Sequence, residues 1–571
     1  MSRFVSADDA DYASLQEQLL RRSGTEDTET SGISLGMNEG DNEVDEAGAT
    51  SANTPKKSAL TENMLPRRRN SDLEIQKPEG PFSARKGDFG SSSSSAAAGN
   101  SYSLLRGANN LTSTQDAPIR KLGTWDGVFM PVTLNVMGII LFLRFGFILG
   151  QTGLVGSLLL LVGSYAIDTL TVLSLNAIST NGQVRGGGAY YLISRSLGPE
   201  FGGSIGLIFF FGQAFNAAMN VLGFVESFIG ALGESNGHTG MLPEGSPFLY
   251  LYGTIVLWLC TLVCLFGSSL FARATLLLAI ILSLAVASIP ISSILVEPFE
   301  DSARDVYYSG WNWLTFAENL WPKFTAGAAG SSTAPEKENW RSVFGVLFPA
   351  VCGILAGTSM SGDLRKPSKS IPKGTNWALA FTFFVYALVF VILAGTVPRE
   401  SFYVNLTIVE SVSRWPSIVL LGELASCAFS ALMGVMACAK VLQAIARDDL
   451  LPFLAPFSQG TVQSDVPTYA VLFTASFCQL VLLLDSINLI AQLVTMTTLL
   501  TFGVLSAATC ALKAGGAPSF RPSFRYWNIW TAGAGTIVSF GSMLMTDAYT
   551  ASVCIAVTVL FFIMIQVLSP P

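Results

Sequence analysis

Four consecutive residues, Asn135, Val136, Met137 and Gly138, sit in the middle of an otherwise apolar run, WDGVFMPVTLNVMGIILFLRFGFILG, spanning 125–150. Pro131 lies upstream and the full charge of Arg144 downstream. A plain membrane anchor avoids Asn, Gly and Arg at such depth, because each is costly in hydrocarbon without a partner. Irregular backbone is tolerated there only where protein covers it or a watery cavity runs beside it. A helix broken near Asn135–Gly138 leaves two half-helix ends facing one spot. The C-terminal end of the first half offers carbonyl oxygens to a cation, and the N-terminal end of the second offers amides to an anion. Secondary transporters build midplane sites in this way.

A second stretch, VFGVLFPAVCGILAGTSMSGDL, carries Pro349, Gly353 and Gly357 inside one membrane length. A single proline in a membrane helix is usually a tolerated kink. Two interrupted segments five helices apart, at corresponding positions of two halves, point to an inverted-repeat transporter site. The amides of Gly353, Ile354 and Leu355 would open its second half, and Pro349 supplies a carbonyl without an N–H of its own. Backbone dipoles in an apolar wall suit small ions and suit catalysis poorly.

The elements that must position these residues follow from composition. The chain is 50% hydrophobic and only 13% charged, against about 25% charged in an average soluble protein. Membrane-length apolar runs succeed one another from about residue 125 onward. The spacing predicts an all-α polytopic protein of twelve segments in a five-plus-five inverted-repeat arrangement, with segments 1 and 6 broken. Segments 1 to 6 fall at about 125–150, 153–178, 199–233, 247–266, 273–297 and 341–361. Segments 7 to 12 fall at about 375–397, 416–446, 466–485, 489–512, 526–546 and 549–568. A polar, glycine-rich link occupies 181–195, and a long loop rich in Trp and acids occupies 298–340. The transport domain is thus 121–571.

Residues 1–120 are rich in Ser, Thr, Gly, Asn, Asp and Glu. They cannot bury enough apolar surface to offset the entropy of ordering, and read as a disordered tail. Within it Arg67-Arg68-Arg69-Asn70-Ser71 matches a basophilic kinase target, making Ser71 a phosphorylation candidate; a solvated basic patch accounts for the same residues. Lys and Arg such as Arg185, Arg365, Lys366, Lys440 and Lys513 collect on the side shared with the tail, and acids such as Glu297, Glu300, Asp301 and Glu318 on the other. The positive-inside rule then puts the N-terminus in the cytosol. Asn405-Leu406-Thr407 falls on the opposite side, which makes Asn405 a glycosylation candidate.

Several classes are excluded or poorly supported. His238 is the only histidine, so zinc sites and histidine catalysis find no support. All eight cysteines fall inside apolar segments, so no disulfide framework is implied. GQVRGGG follows a membrane helix rather than a strand, which argues against a phosphate loop. No cofactor, no nucleic-acid partner and no enzymatic activity is expected.

Four stretches carry a resemblance: GVFMPVTLNVMGIILFLRFGFILGQTG (127–153), RGGGAYYLISRSLGPEFGG (185–203), GILAGTSMSGDLRKPSKSIPKGT (353–375) and FRPSFRYWN (520–528). In this order they resemble the signature stretches of the cation–chloride cotransporters, in the amino acid–polyamine–organocation superfamily. The chain looks closest to the fungal vacuolar members. The resemblance implies electroneutral, sodium-independent symport of potassium and chloride by alternating access, in a vacuolar membrane, by a protein that forms homodimers. It implies a potassium site from Asn135, Val136 and Pro349, one chloride on the amides of Gly138, Ile139 and Ile140, and a second on Gly353, Ile354 and Leu355. It makes Arg144 and Glu226 an extracellular gate pair. This pair also has a physical basis, since each is a charge within a membrane segment and needs a partner.

Departures from the family pattern are legible too. The segment-3 tyrosine that contacts potassium falls at Asn220, and the segment-6 threonine at Cys352. Asn still offers a carbonyl, whereas a neutral thiol is a poor potassium ligand. The segment-10 tyrosine of the inner chloride site falls at Phe502, and two sodium-binding serines of segment 8 at Phe429 and Ser430. The resemblance also implies a cytosolic domain after the last helix, whereas the sequence stops at Leu568-Ser569-Pro570-Pro571. Two other readings stay open: an amino-acid or polyamine transporter of the same superfamily, and a non-transporting regulatory membrane subunit.

Overall fold

A computed structural model describes residues 122–569, apart from 182–187, 233–242, 244, 267, 302–305, 332–335, 360, 462–464, 485 and 518–519. The tail with Ser71 lies outside the described residues, as does Arg185 of the link.

The architecture is that of an all-α polytopic transporter. Among the described residues ten helices are long and apolar enough to cross a membrane. The other two expected segments are shorter: segment 9 is Thr468–Leu484, closing in a 3-10 turn, and segment 11 is the 18-residue helix Ile529–Thr546. Eighteen residues rise about 27 Å, close to the thickness of a hydrocarbon core.

Burial divides the helices by role. Segment 6 (Trp340–Ser359) is 89% buried over its apolar window, whereas segment 12 (Ala548–Leu568) is 11% buried. Segment 12 is apolar on every side yet covered by little protein, as expected of a helix that faces lipid. Segments 1, 3, 8 and 10 belong to the buried group, so the interrupted helices lie in the interior of the bundle. Their termini are sealed locally: Asn528 and Asn339 form capping boxes at the starts of segments 11 and 6.

Three boundaries differ from the sequence expectation. Segment 7 begins at Pro367, earlier than 375, because Pro367 occupies the first turn and Pro372 is accommodated within the helix. The glycine-rich link contains a ten-residue helix, Gly188–Leu197. The long loop contains an antiparallel pair, β1 (Phe299–Asp301) and β2 (Val306–Tyr308), followed by the helix Trp313–Glu318.

The end of segment 1 and the start of segment 2 lie within Phe145–Ser179 as two helices, parted by a kink at Gly153, whose backbone is not helical. Gly153 has φ of +64°, and a Cβ there would fall 2.5 Å from the Trp321 carbonyl oxygen. The kink is where the long loop docks: Leu154 and Val155 amides donate to the carbonyls of Asn319 and Leu320. Only glycine satisfies both that φ and that approach.

Candidate functional site

Segment 1 breaks at Met137–Gly138. The helix Met130–Val136 ends, Met137 adopts φ −73°, ψ 57°, Gly138 is extended, and Ile139–Leu143 restarts the helix. The Gly138 amide donates to the Val136 carbonyl at 2.7 Å across a γ-turn. That amide, expected to face an anion, is therefore engaged in this conformation. The next helical bond runs from Leu141 N to Gly138 O, so the Ile139 and Ile140 amides precede it.

Around Gly138 the geometry gathers oxygen. The position of a Cβ on Gly138 lies 3.6 Å from Asn220 Oδ1, 3.7 Å from Asn135 O and 3.9 Å from Val136 O. Asn220 Nδ2 donates back to Asn216 O at 2.8 Å, which turns Oδ1 toward the break. Segment 3 thus places Asn220 Oδ1 beside the break.

Segment 6 breaks as a run of tight turns rather than one gap. Phe348–Ala350 and Cys352–Leu355 are 3-10 turns on either side of Val351. The Cys352 thiol donates to Pro349 O at 3.2 Å, so the carbonyl expected to serve the cation already accepts a weak hydrogen bond. Gly353, Ile354 and Leu355 lie within the second turn. Phe502 is fully buried and packs edge-on against Phe348, ring centroids 6.3 Å apart. It presents a ring and no polar atom.

The two breaks touch. Asn135 Nδ2 is 3.4 Å from Gly353 O, and a Cβ on Gly353 would lie 2.9 Å from Asn135 C and from Val136 N. Asn135 Oδ1 is enclosed without a hydrogen-bond partner among the described residues. Two residues that the sequence reading passed over hold the junction. The Tyr386 hydroxyl of segment 7 lies 2.5 Å from Val136 O and 3.1 Å from Ala350 O, spanning both breaks. The Ser426 hydroxyl of segment 8 donates to Met137 O.

Ion pairs sit at both ends of the site. Arg144 Nη2 is 3.5 Å from Glu226 Oε1, with the arginine side chain 6% exposed and the glutamate 34%. Its other nitrogens contact Leu143 O at 3.3 Å and Asn488 Oδ1 at 3.5 Å. Asn488 also donates to Gly330 O of the long loop at 2.9 Å. Buried Glu423 of segment 8 accepts from Ser227 and feels the charges of Glu226 and Arg144. At the end of segment 6, Lys440 Nζ pairs with Asp363 Oδ2 at 2.8 Å. Because successive segments alternate in direction, the C-terminal ends of segments 1 and 6 lie on opposite sides.

The link helix is anchored beneath this region. The Tyr190 hydroxyl donates to the Asp448 carboxylate just past segment 8. Burial, with Asp448 beside it, holds the phenol above its usual range, so it stays a donor. Asn405 ends the short helix Arg399–Val404, and its side-chain oxygen accepts from the Thr407 amide at 2.7 Å and hydroxyl at 3.1 Å. The sequon therefore forms an Asx turn.

Interrupted helices that meet in the buried core of a polytopic bundle define a secondary-transporter class of membrane protein. Residues 127–571 match the amino acid permease family. The chain is 46% identical over 457 residues to vacuolar cation-chloride cotransporter 1 of Saccharomyces cerevisiae, covering 79% of this chain and 40% of that protein. It is 37% identical over 438 residues to human solute carrier family 12 member 9, covering 73% and 47%. To mouse solute carrier family 12 member 1 it is 29% identical over 487 residues, covering 79% and 43%. The chain belongs to the amino acid permease family, and within that superfamily to the cation–chloride cotransporters. It spans less than half the length of each of these relatives, whose names are those of transporters rather than enzymes.

Proposed function

We propose that this protein is an electroneutral potassium–chloride symporter that does not require sodium, working by alternating access in a vacuolar membrane with its N-terminus in the cytosol. The observation that carries the reading is the oxygen cluster at Gly138: Asn135 O, Val136 O and Asn220 Oδ1 within 4 Å of one point. The amides of Ile139 and Ile140 begin the next half-helix immediately beside it. A cation and an anion held side by side offset each other's charge in a low-dielectric wall, which favours carrying them together.

Segment 8 supports sodium independence. Phe429 is fully buried there, and the Ser426 hydroxyl takes the Met137 carbonyl that the break exposes. The close contact of Gly353 with Asn135 and Val136 leaves the junction tight, which favours small ions over an amino acid or polyamine. With Arg144–Glu226 and Lys440–Asp363 both formed, each end of the path carries a breakable electrostatic contact, as alternating access needs.

The test is rubidium uptake, standing in for potassium, into liposomes holding the purified 571-residue chain. Uptake in chloride is compared with uptake in gluconate, with and without sodium. Uptake that needs chloride and ignores sodium supports the reading. Equal uptake in gluconate overturns the coupling, a requirement for sodium overturns the potassium type, and no uptake by folded protein favours a non-transporting subunit.

A further inference from the structure

Asp168 is a carboxyl in the middle of segment 2, fully buried. Neither of its oxygens has a hydrogen-bond partner among the described residues. An ionised carboxylate enclosed in this way needs a positive charge against it. Among the described residues the neighbours supply none. Its field reaches Tyr165, one turn earlier on its own helix, and Cys352 in the segment-6 turns. Segment 7 packs beside it and contributes Tyr386, which lies beyond Tyr165. The lysines of segment 7, Lys369 and Lys373, lie past the Asn176–Asn376 contact. Asn176 is eight residues from Asp168, about 12 Å along the helix. Segment 10 brings Cys510 and Lys513 two to three turns past Phe502, and segment 11 has no titratable side chain.

Asp168 is also tied to the junction of the breaks. Cys352 donates to Pro349 O. Tyr165 donates to Thr382 on segment 7 at 2.8 Å, and its ring meets Tyr386 edge-on at 6.5 Å. Tyr386 in turn bridges the Val136 and Ala350 carbonyls. A change of charge at Asp168 therefore acts on the groups that shape both breaks.

We propose that Asp168 is a cation-accepting carboxyl in the wall of the transport site, taking a monovalent cation, a proton or an alkali ion, as its counter-charge. If the cation is a proton, it bonds to one carboxylate oxygen and the side chain becomes a neutral acid; if an alkali ion, the carboxylate stays ionised beside it. The placement of the site beside the cation path rests on the transport reading above, whereas its binding chemistry is tested without flux.

The experiment is thermal unfolding of the purified full chain and of Asp168→Asn in detergent. One titration varies rubidium against choline at fixed chloride, and the other varies pH from 5 to 9 in choline chloride. A ligand that binds only the folded protein raises its melting temperature. A proton held only in the folded state makes stability rise as pH falls; buried Glu423 contributes such a rise in both proteins, so the expected result is a shallower rise in Asp168→Asn. An alkali ion gives a rubidium-dependent rise whose half-effect concentration is at least tenfold higher in Asp168→Asn. Coincident curves for both proteins in both titrations overturn the proposal. If Asp168→Asn does not yield folded protein, Asp168→Ser, which also removes the carboxyl, takes its place in both titrations, and curves coincident with native overturn the proposal. Positive titrations without rubidium flux leave the site and sink the transport reading; flux with coincident titrations does the reverse.

Discussion

Replacing Gly353 with alanine drives a methyl group into the contact between the two breaks. The added Cβ would stand 2.9 Å from Asn135 C and Val136 N and 3.0 Å from Asn135 Nδ2. Carbon reaches its best contact distance at about 3.5–4.0 Å, so the breaks must part by roughly 0.5–1 Å. The nearest two atoms are backbone and cannot rotate away. Overpacking of this kind costs about 1–3 kcal/mol. The Asn135 Nδ2 to Gly353 O contact, at 3.4 Å, is long and adds little, so the steric term dominates. Expressed at the ion site, about 1–3 kcal/mol is roughly a 5- to 150-fold loss of affinity. The assay is the initial rate of chloride-dependent rubidium uptake against rubidium concentration, with Gly541→Ala as control because nothing lies within 4 Å of its Cβ. A half-saturating rubidium concentration at least fivefold above native is expected for Gly353→Ala, and none for the control. A native value for Gly353→Ala would refute the claim that contact between the breaks shapes the site.

Three further substitutions probe other parts of the site. Arg144→Ala frees one end of the path and is expected to cut coupled uptake at least tenfold while the protein still folds, since Glu226 is partly exposed and can hydrate; native chloride-dependent flux would contradict a gate. Cys352→Thr exchanges a thiol for a hydroxyl oxygen and is expected to maintain or raise potassium-dependent uptake; a large loss at normal expression would assign Cys352 another role. Tyr386→Phe removes the hydroxyl shared by Val136 O and Ala350 O and is expected to cost about 1–3 kcal/mol of stability, read as a lower melting temperature. An unchanged melting temperature would show that the bridge contributes nothing.

The breaks were legible in the sequence because Asn135 to Gly138 and Pro349 to Gly357 violate what hydrocarbon tolerates. The Arg144–Glu226 pair was legible for the same reason, each being a charge in need of another. Asp168 and Glu423 are also acids within apolar segments and were not singled out, because sequence spacing says nothing about which buried acids find partners. Tyr386 and Ser426 were hidden, because a tyrosine or serine in an apolar segment is ordinary and each reaches the break across hundreds of residues of chain. The engagement of the Gly138 amide by Val136 O depends on one γ-turn, which local propensity does not specify. Segment 7 was placed too late because KSIPKGT reads as loop, although Pro367 and Pro372 both fit within the helix.

Obligatory coupling is the centre of the account, and uphill chloride movement tests it most directly. Liposomes holding the chain are given equal chloride on both sides, an inward potassium gradient and a membrane potential clamped at zero. Symport predicts that labelled chloride accumulates inside above equilibrium and that the overshoot vanishes when potassium is replaced by choline. Chloride that only equilibrates, with no overshoot under the potassium gradient, would contradict coupled transport through this site.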